Sequence, residues 1–278
     1  MVGREFLDLC ERLSLRDVLA PGRNECDVVN FEQVRDYLSV HTPDVIINCT
    51  GIVDLNVCEK KPEFAHSVNA EGPRNIAQAM VDLQMTEAIM LHVSTCYVFG
   101  NDKQEYFESD APGPLNMYGK TKLAGEQFIE SILRNSNIAY YIIRTSWIYS
   151  QYKDTFVDLV VKTLRGGQSI EIVTDQFNTV TWAKDLTGAC ESFILKPDIF
   201  ESGVYHVCAQ TERSLSKMEI ALACAEVCSL PEELLIPAKS SDLLMDTRPR
   251  SAFLKTSKKI ILPRWKDSLL DYLIERYG

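Results

Sequence analysis

The sequence is poor in the features that mark a metalloprotein, a secreted scaffold or a membrane protein. Histidine occurs only four times in 278 residues, and the nine cysteines include no Cys-x-x-Cys pair. Cys10, Cys26, Cys49, Cys58, Cys96, Cys190, Cys208, Cys224 and Cys228 are spread singly and are odd in number. That pattern points to reduced thiols in a cytoplasmic protein, not to a disulfide framework. Cys224 and Cys228 lie four apart on an expected helix with no histidine near them in sequence, so core packing is the reading for both, and no metal site is expected. No apolar run reaches the roughly 18 residues of a membrane span, and the start MVGREFLDLCERL carries no signal-peptide core. Positive charge is also scarce. Lys and Arg number 29 against 39 Asp and Glu, a net charge of −10. This argues against a nucleic-acid or anionic-membrane surface, while a local basic pocket for phosphates remains compatible with it. Repeats, low-complexity tracts and flexible linkers are missing as well, so the length suits one large domain carrying a lobe.

What is present is an alternation of apolar runs and helical patterns over the first 150 residues. VGREFLDLCERL places Phe6, Leu9, Cys10 and Leu13 at helical spacing. LRDVLA reads as a short strand closed by Pro21-Gly22, and FEQVRDYLSV as a helix with Val34, Tyr37 and Leu38 inward. DVIINC is nearly all apolar, as in a strand buried on both faces of a parallel sheet. PEFAHSVNAEGPRNIAQAMVDL is helical with an interruption expected at Gly72-Pro73. AIMLHVST is a strand, Gly100 to Asn116 a loop, Tyr118 to about Leu133 a helix, and AYYIIRTSWIY a strand. This is the rhythm of βαβ units in a Rossmann-like, doubly wound parallel sheet. Beyond Tyr149 the rhythm loosens: a helix over TFVDLVVKTLRGG, the runs SIEIV and GVYHVC, a helix over KMEIALACAEVCSL, an irregular loop over PAKSSDLLMDTRPRSAFL and a closing helix over DSLLDYLIERYG. The expected division is residues 1–150 as a dinucleotide-binding domain and 151–278 mainly as a smaller substrate-binding lobe packed on it.

Tyr118 and Lys122 in PLNMYGKTKLAGEQF sit at i and i+4, on one helix face. An ammonium beside a phenol favours the phenolate, and a tuned phenol can donate a proton to a carbonyl oxygen as hydride reaches the carbon. The spacing alone is weak, since Tyr149 and Lys153 repeat it. Context favours the first pair, because NCTGIVD, STCYVFG, Tyr118 and TSWIYS all fall at or beyond strand ends, where ligands bind in such sheets.

VSTCYVFG, PLNMYGKTKLAGE, RTSWIY, DQFNTVT and RPRSAFL, in that order, resemble the dTDP-4-dehydrorhamnose reductase family, which are extended short-chain dehydrogenase/reductases. The resemblance runs over nearly the whole chain. It implies a Rossmann domain for NADP(H), or NAD(H), and a lobe for a nucleotide-diphospho sugar whose 4-keto group is reduced. Carried over, Thr95, Tyr118 and Lys122 would be catalytic: Thr95 bonding the substrate carbonyl, Tyr118 acting as acid, and Lys122 lowering the phenol's pKa while holding the nicotinamide ribose. Gly3, Asp27, Val28, Gly51, Ile52 and Val53 would join Tyr118 and Lys122 along the cofactor, and Trp147, with Thr95 and Cys96, would meet the sugar. Arg23 in LAPGRNE, with no acid at the strand end, leans the expectation to NADP(H). Family members are often dimers, so a homodimer is the expected assembly. Glu5 matches a position linked to a metal at that contact in some members, but one carboxylate predicts no metal site.

Two departures stand out. MVGREF aligns with the tail of the family's glycine-rich loop, with Gly3 as its last glycine, so the preceding strand and earlier glycines are not in this sequence. Truncation is the favoured reading, and natural loss of the cofactor cradle the other. Cys96 stands where family reductases have Asp. Bifunctional epimerase/reductases use a Cys as acid/base, but one place later. The alternatives to the reductase are therefore such an epimerase/reductase and a non-catalytic regulatory subunit resembling the methionine adenosyltransferase β subunit.

Overall fold

The computed structural model describes residues 1–100, 103–242 and 247–278. Parts of the two expected loops, residues 101–102 and 243–246, lie outside the described residues. Four parallel strands form the central sheet in the order Val45–Asn48, Ile89–Thr95, Ala139–Thr145, Gly203–His206. The two middle strands have apolar residues on both faces, because both faces are covered. Successive side chains alternate sides. Met90, Tyr140 and Ile142 pack with the helices Phe31–His41, Gly72–Asp82 and Met117–Leu133. Ile89, Leu91, Tyr141 and Ile143 pack with Val2–Arg12 and Ala183–Leu195. The sheet is thus doubly wound, as the alternation implied, and each fully buried side chain of this size contributes about 1.5–3 kcal/mol.

Most expected helices and strands form close to where the pattern puts them. The expected strand at LRDVLA does not. Residues 15–20 are irregular, with Val18 and Leu19 43% and 50% exposed. A strand is stable only when its backbone groups are paired, and no described strand lies beside this segment. For the same reason Val45–Asn48 is an edge, paired only to Ile89–Thr95 among the described strands. The run AYYIIRTSWIY also divides. Its strand ends at Thr145, Trp147 turns the chain at φ +20°, and Ile148–Tyr149 pairs with Thr181–Trp182 instead. Residues Ser67–Glu71 form a π-helical turn just before Gly72-Pro73, so the expected interruption is a widened turn that leaves the helical path continuous.

The second half packs a separate core of Val160, Val161, Leu164, Ile220, Cys224, Leu269 and Tyr272 between the helices Phe156–Arg165, Lys217–Val227 and Trp265–Tyr277. Cys224 is fully buried there, as packing required. The halves are interleaved all the same, because Gly203–His206 joins the first-half sheet. Among the described residues no helix is long and apolar enough to cross a membrane.

Within the first half, Arg144 and Glu126 form a buried ion pair at 2.6 Å, with side chains only 5% and 2% exposed. Ser94 Oγ also donates to Glu126. Breaking such a pair from one side strands a charge in the interior. Glu126→Leu is expected to cost about 3–5 kcal/mol in denaturant unfolding, with much of it recovered by adding Arg144→Met. A single-variant loss below about 1 kcal/mol would show that water reaches the pair.

Candidate active site

The helix Met117–Leu133 begins where Asn116 caps it, its side chain accepting the Gly119 N–H at 2.8 Å. Its first turn is pressed against the end of the strand Ile89–Thr95. A Cβ on Gly119 would fall 2.0 Å from the Tyr97 carbonyl oxygen, and one on Gly125 would fall 2.3 Å from that of Asn69. Both positions require glycine because backbone, which cannot move aside, occupies the space.

This approach sets Tyr118 beside Thr95. The phenol is raised in pKa, first by burial, and its hydrogen bond with the Thr95 hydroxyl opposes the rise. The phenol therefore keeps its proton throughout the neutral range, as a proton donor must. Tyr97 packs edge-on to Tyr118 with ring centroids 5.9 Å apart. Its phenol is raised in pKa by burial, and the neighbouring Arg248 guanidinium and Trp147 indole oppose that rise.

Lys122 shares the helix face with Tyr118 but sends its amine toward the sheet. Nζ donates to the Val93 carbonyl at 2.7 Å and meets His92 Nε2 at 3.1 Å. Lys122 is not among the leading influences on the phenol. Behind it the donors and acceptors are fixed in order. Thr50 donates from both its backbone N–H (3.0 Å) and its hydroxyl (2.6 Å) to Asn48 Oδ1. The Asn48 amide nitrogen therefore faces His92 Nδ1 at 3.1 Å, which must accept, so the imidazole proton sits on Nε2. Nε2–H then points at Lys122, and the contact is favourable when that side chain is the neutral amine. Burial lowers both pKa values, His92 well below its usual range and Lys122 to about 8.

The expected cofactor residues lie along the same rim. Gly3 stands near Cys49 at the end of Val45–Asn48, with the helix Val2–Arg12 starting there. A helix N-terminus in that place is suited to a phosphate. The loop Gly51–Val53 is braced by Asn69, which accepts from the Ile52 N–H at 2.7 Å and donates to the Ile52 carbonyl at 2.9 Å and to Thr121 Oγ1 at 3.0 Å. Val53 is 60% exposed beside it. Asp27 and Val28 lie at a turn held by Asn75, which donates to the Val28 carbonyl. Arg23 is engaged, its Nε 2.9 Å from Asp27, and would have to release that carboxylate to meet a 2′-phosphate. These residues fit a dinucleotide laid from the first helix across Gly51 to Tyr118.

Cys96 lies buried beside Thr95, close enough to influence the Tyr118 phenol. It is 1% exposed, receives a hydrogen bond from Asn178 Nδ2 at 3.3 Å, and its thiol pKa is raised by burial. A buried neutral thiol held this way does not suit an acid/base role. Glu5 is also buried, accepting from Ser150 Oγ at 2.7 Å. Among the described residues no group of three His, Cys, Asp or Glu is placed to hold a metal ion.

The sequence alone did not point to Asn48, Asn69, His92, Tyr97, Lys217 or Arg248 as site residues. Histidine inside the apolar strand run IMLHVST was a usable signal, since a buried polar side chain needs partners. Asn69 gave none.

The RmlD substrate binding domain family matches residues 1–277. A dTDP-4-dehydrorhamnose reductase of Mycolicibacterium smegmatis is 33% identical over 255 residues, 91% of this chain and 72% of that protein. The spore coat polysaccharide biosynthesis protein SpsK of Bacillus subtilis is 30% identical over 99% of this chain and 95% of its own length. The crystal structure of dTDP-4-dehydrorhamnose reductase from Bacillus anthracis in complex with NADP superposes with a TM-score of 0.89 at 27% identity, covering 99% of this chain and 95% of that one.

Lys122 gives a pH signature. Its pKa is lowered on folding, so between about 8 and its unfolded value of 10.5 the unfolded chain binds more protons and stability rises with pH. The unfolding free energy of the wild type minus that of Lys122→Met is expected to grow across this interval. A flat difference would mean Lys122 is solvated in the folded protein.

Proposed function

The chain belongs to the RmlD substrate binding domain family, and from that premise we propose that it is an NADP(H)-dependent reductase of the 4-keto group of a nucleotide-diphospho-6-deoxy sugar. The observation that carries the proposal is the meeting of Thr95 and Tyr118 at the end of the central strand, beside a loop and helix start that fit a dinucleotide. The cofactor would supply hydride from its nicotinamide.

This chain's own residues would do the rest. The Thr95 hydroxyl and the Tyr118 phenol converge on one point, so a carbonyl oxygen placed there receives two hydrogen bonds. Negative charge grows on that oxygen as the carbonyl is reduced, and donors already aimed at it stabilise the transition state more than the ground state. Tyr118 then gives up its proton to the new hydroxyl. Lys122, held by Val93 and His92, lies one helical turn away; turning toward the ribose would bring its charge to the phenol and ease that proton loss. Trp147, at the chain turn beyond Thr145, would lie against the sugar. A homodimer is the assembly proposed.

The epimerase/reductase alternative loses its acid/base group with the burial of Cys96. The regulatory-subunit alternative is separated by turnover. Tyr118→Phe should lower NADPH-dependent reduction of a dTDP-4-keto-6-deoxy sugar by about 10²–10⁴-fold, as loss of a positioned acid does, with the unfolding midpoint unchanged. Wild-type turnover in that variant would remove Tyr118 from the mechanism. No turnover by the wild type, with stoichiometric co-purification of a synthetase, would favour the regulatory role.

A further inference from the structure

Two cations of the second half lie against the catalytic cluster with no carboxylate to pair with among the described residues. Lys217 opens the helix Lys217–Val227, and its Nζ stands 5.4 Å from the centroids of both the Trp147 and the Phe156 rings. Arg248 lies beside the Tyr97 phenol, whose pKa it lowers, while its Nε is buried without a hydrogen-bond partner. The two cations also repel each other: burial and the neighbouring Arg248 bring Lys217 down to about 8. Elsewhere in this protein the comparably placed cation is paired, as Arg144 is with Glu126. Aromatic faces compensate a desolvated ammonium only in part. Two like charges held together beside an orphaned donor make a site that is incomplete without an anion.

We infer that Lys217 and Arg248 hold the diphosphate of a sugar-nucleotide substrate, an inference that rests on the reductase reading. Geometry selects this anion. A 4-keto sugar with its carbonyl at Thr95 and Tyr118 carries its diphosphate on C1, across the ring from C4. Tyr97 packs on Tyr118, Arg248 lies beside Tyr97, and Lys217 lies over Trp147, so these two cations border the same cluster. The phosphates of a dinucleotide cofactor belong on the opposite rim, at the start of Val2–Arg12 beside Cys49. A diphosphate offers acceptors to both groups at once: a planar fork from Arg248, including its free Nε, and a point charge from Lys217. The Trp147 indole, beside Tyr97 and under the Lys217 ammonium, would then lie between the reacting carbon and the anion, as a platform for the ring that joins them.

Calorimetry with inorganic pyrophosphate and with dTDP, on the full chain, tests the pair apart from turnover. Wild type is expected to bind both. Lys217→Gln and Arg248→Gln should each weaken both ligands about tenfold or more, the loss typical of a hydrogen bond to a charged group, while Lys217→Arg keeps most of the affinity. Unfolding midpoints within about 2 °C of wild type, a shift below what 1 kcal/mol produces, establish that the variants are folded. Wild-type failure to bind either ligand, or equal affinity in the Gln variants, overturns the assignment. If the pair binds pyrophosphate and dTDP but no 4-keto sugar is reduced, the anion site stands and the reductase reading falls.

Discussion

The site depends on one close contact: the helix Met117–Leu133 pressed onto the backbone at Tyr97 on one side and Asn69 on the other. Glycine at 119 and 125 permits it, since a Cβ at either place would overlap a carbonyl oxygen. Tyr118 can meet Thr95 only because its neighbour has no side chain. The same contact sets the loop Gly51–Val53, because Asn69 bonds Ile52 through both ends of its amide and also reaches Thr121 on the helix. Catalytic helix and cofactor loop are therefore tied to one side chain. A π-helical turn over Ser67–Glu71 supplies it; such widened turns occur preferentially at functional sites.

Once the helix is seated, its inward face must satisfy what it buries. Lys122 and Glu126, one turn apart, take two solutions. Glu126 meets a charge of opposite sign and holds Arg144 through three contacts. Lys122 has no such partner within reach of its amine; it meets His92 and a backbone carbonyl instead, and the ordered donors from Thr50 through Asn48 favour its neutral form. A lysine that loses its charge readily can change protonation as a ligand arrives, whereas an ion-paired one cannot do so without breaking the pair. The first arrangement stabilises the fold, and the second leaves a group available for chemistry.

Much of this was legible in the sequence because it repeats at short range. Period-2 and period-3.6 patterns gave the strands at 89–95 and 139–145 and nearly all the helices, and the Tyr-Gly-Lys-Thr-Lys segment singled out the candidate pair Tyr118 and Lys122. What was not legible depends on partners distant in the chain. LRDVLA has strand composition but no neighbour to pair with, so composition misled. Trp147 falls inside an apolar run that looked continuous, yet the backbone turns there at φ +20°, and nothing in the run marks it. Cys96 was expected at the site because it adjoins Thr95; in the structure it opens the short turn Cys96–Val98, and Asn178 holds it in the interior. Lys217 is ordinary in sequence, and Arg248, although it opens RPRSAFL, lies 31 positions away; only folding makes them neighbours.

Those two cations also bear on a contradiction in the charge. A protein of net charge −10 repels dianions at long range, so a sugar-nucleotide reductase of this composition needs a local field strong enough to reverse that sign at the site. Surface lysines would not provide it, since exposed charges are screened within about 10 Å at ordinary salt. Partly buried cations such as Lys217 and Arg248 can, because the surrounding protein screens them less than water does. With these cations in the second half and the proposed proton donor in the first, a bound sugar nucleotide would have its anion held by one core and its carbonyl by the other. Alignment between the two is set by the strand Gly203–His206, which carries the second half into the sheet beside Ala139–Thr145. The register of that strand, Tyr141 opposite Gly203 through Arg144 opposite His206, would thus be part of the geometry of the proposed site.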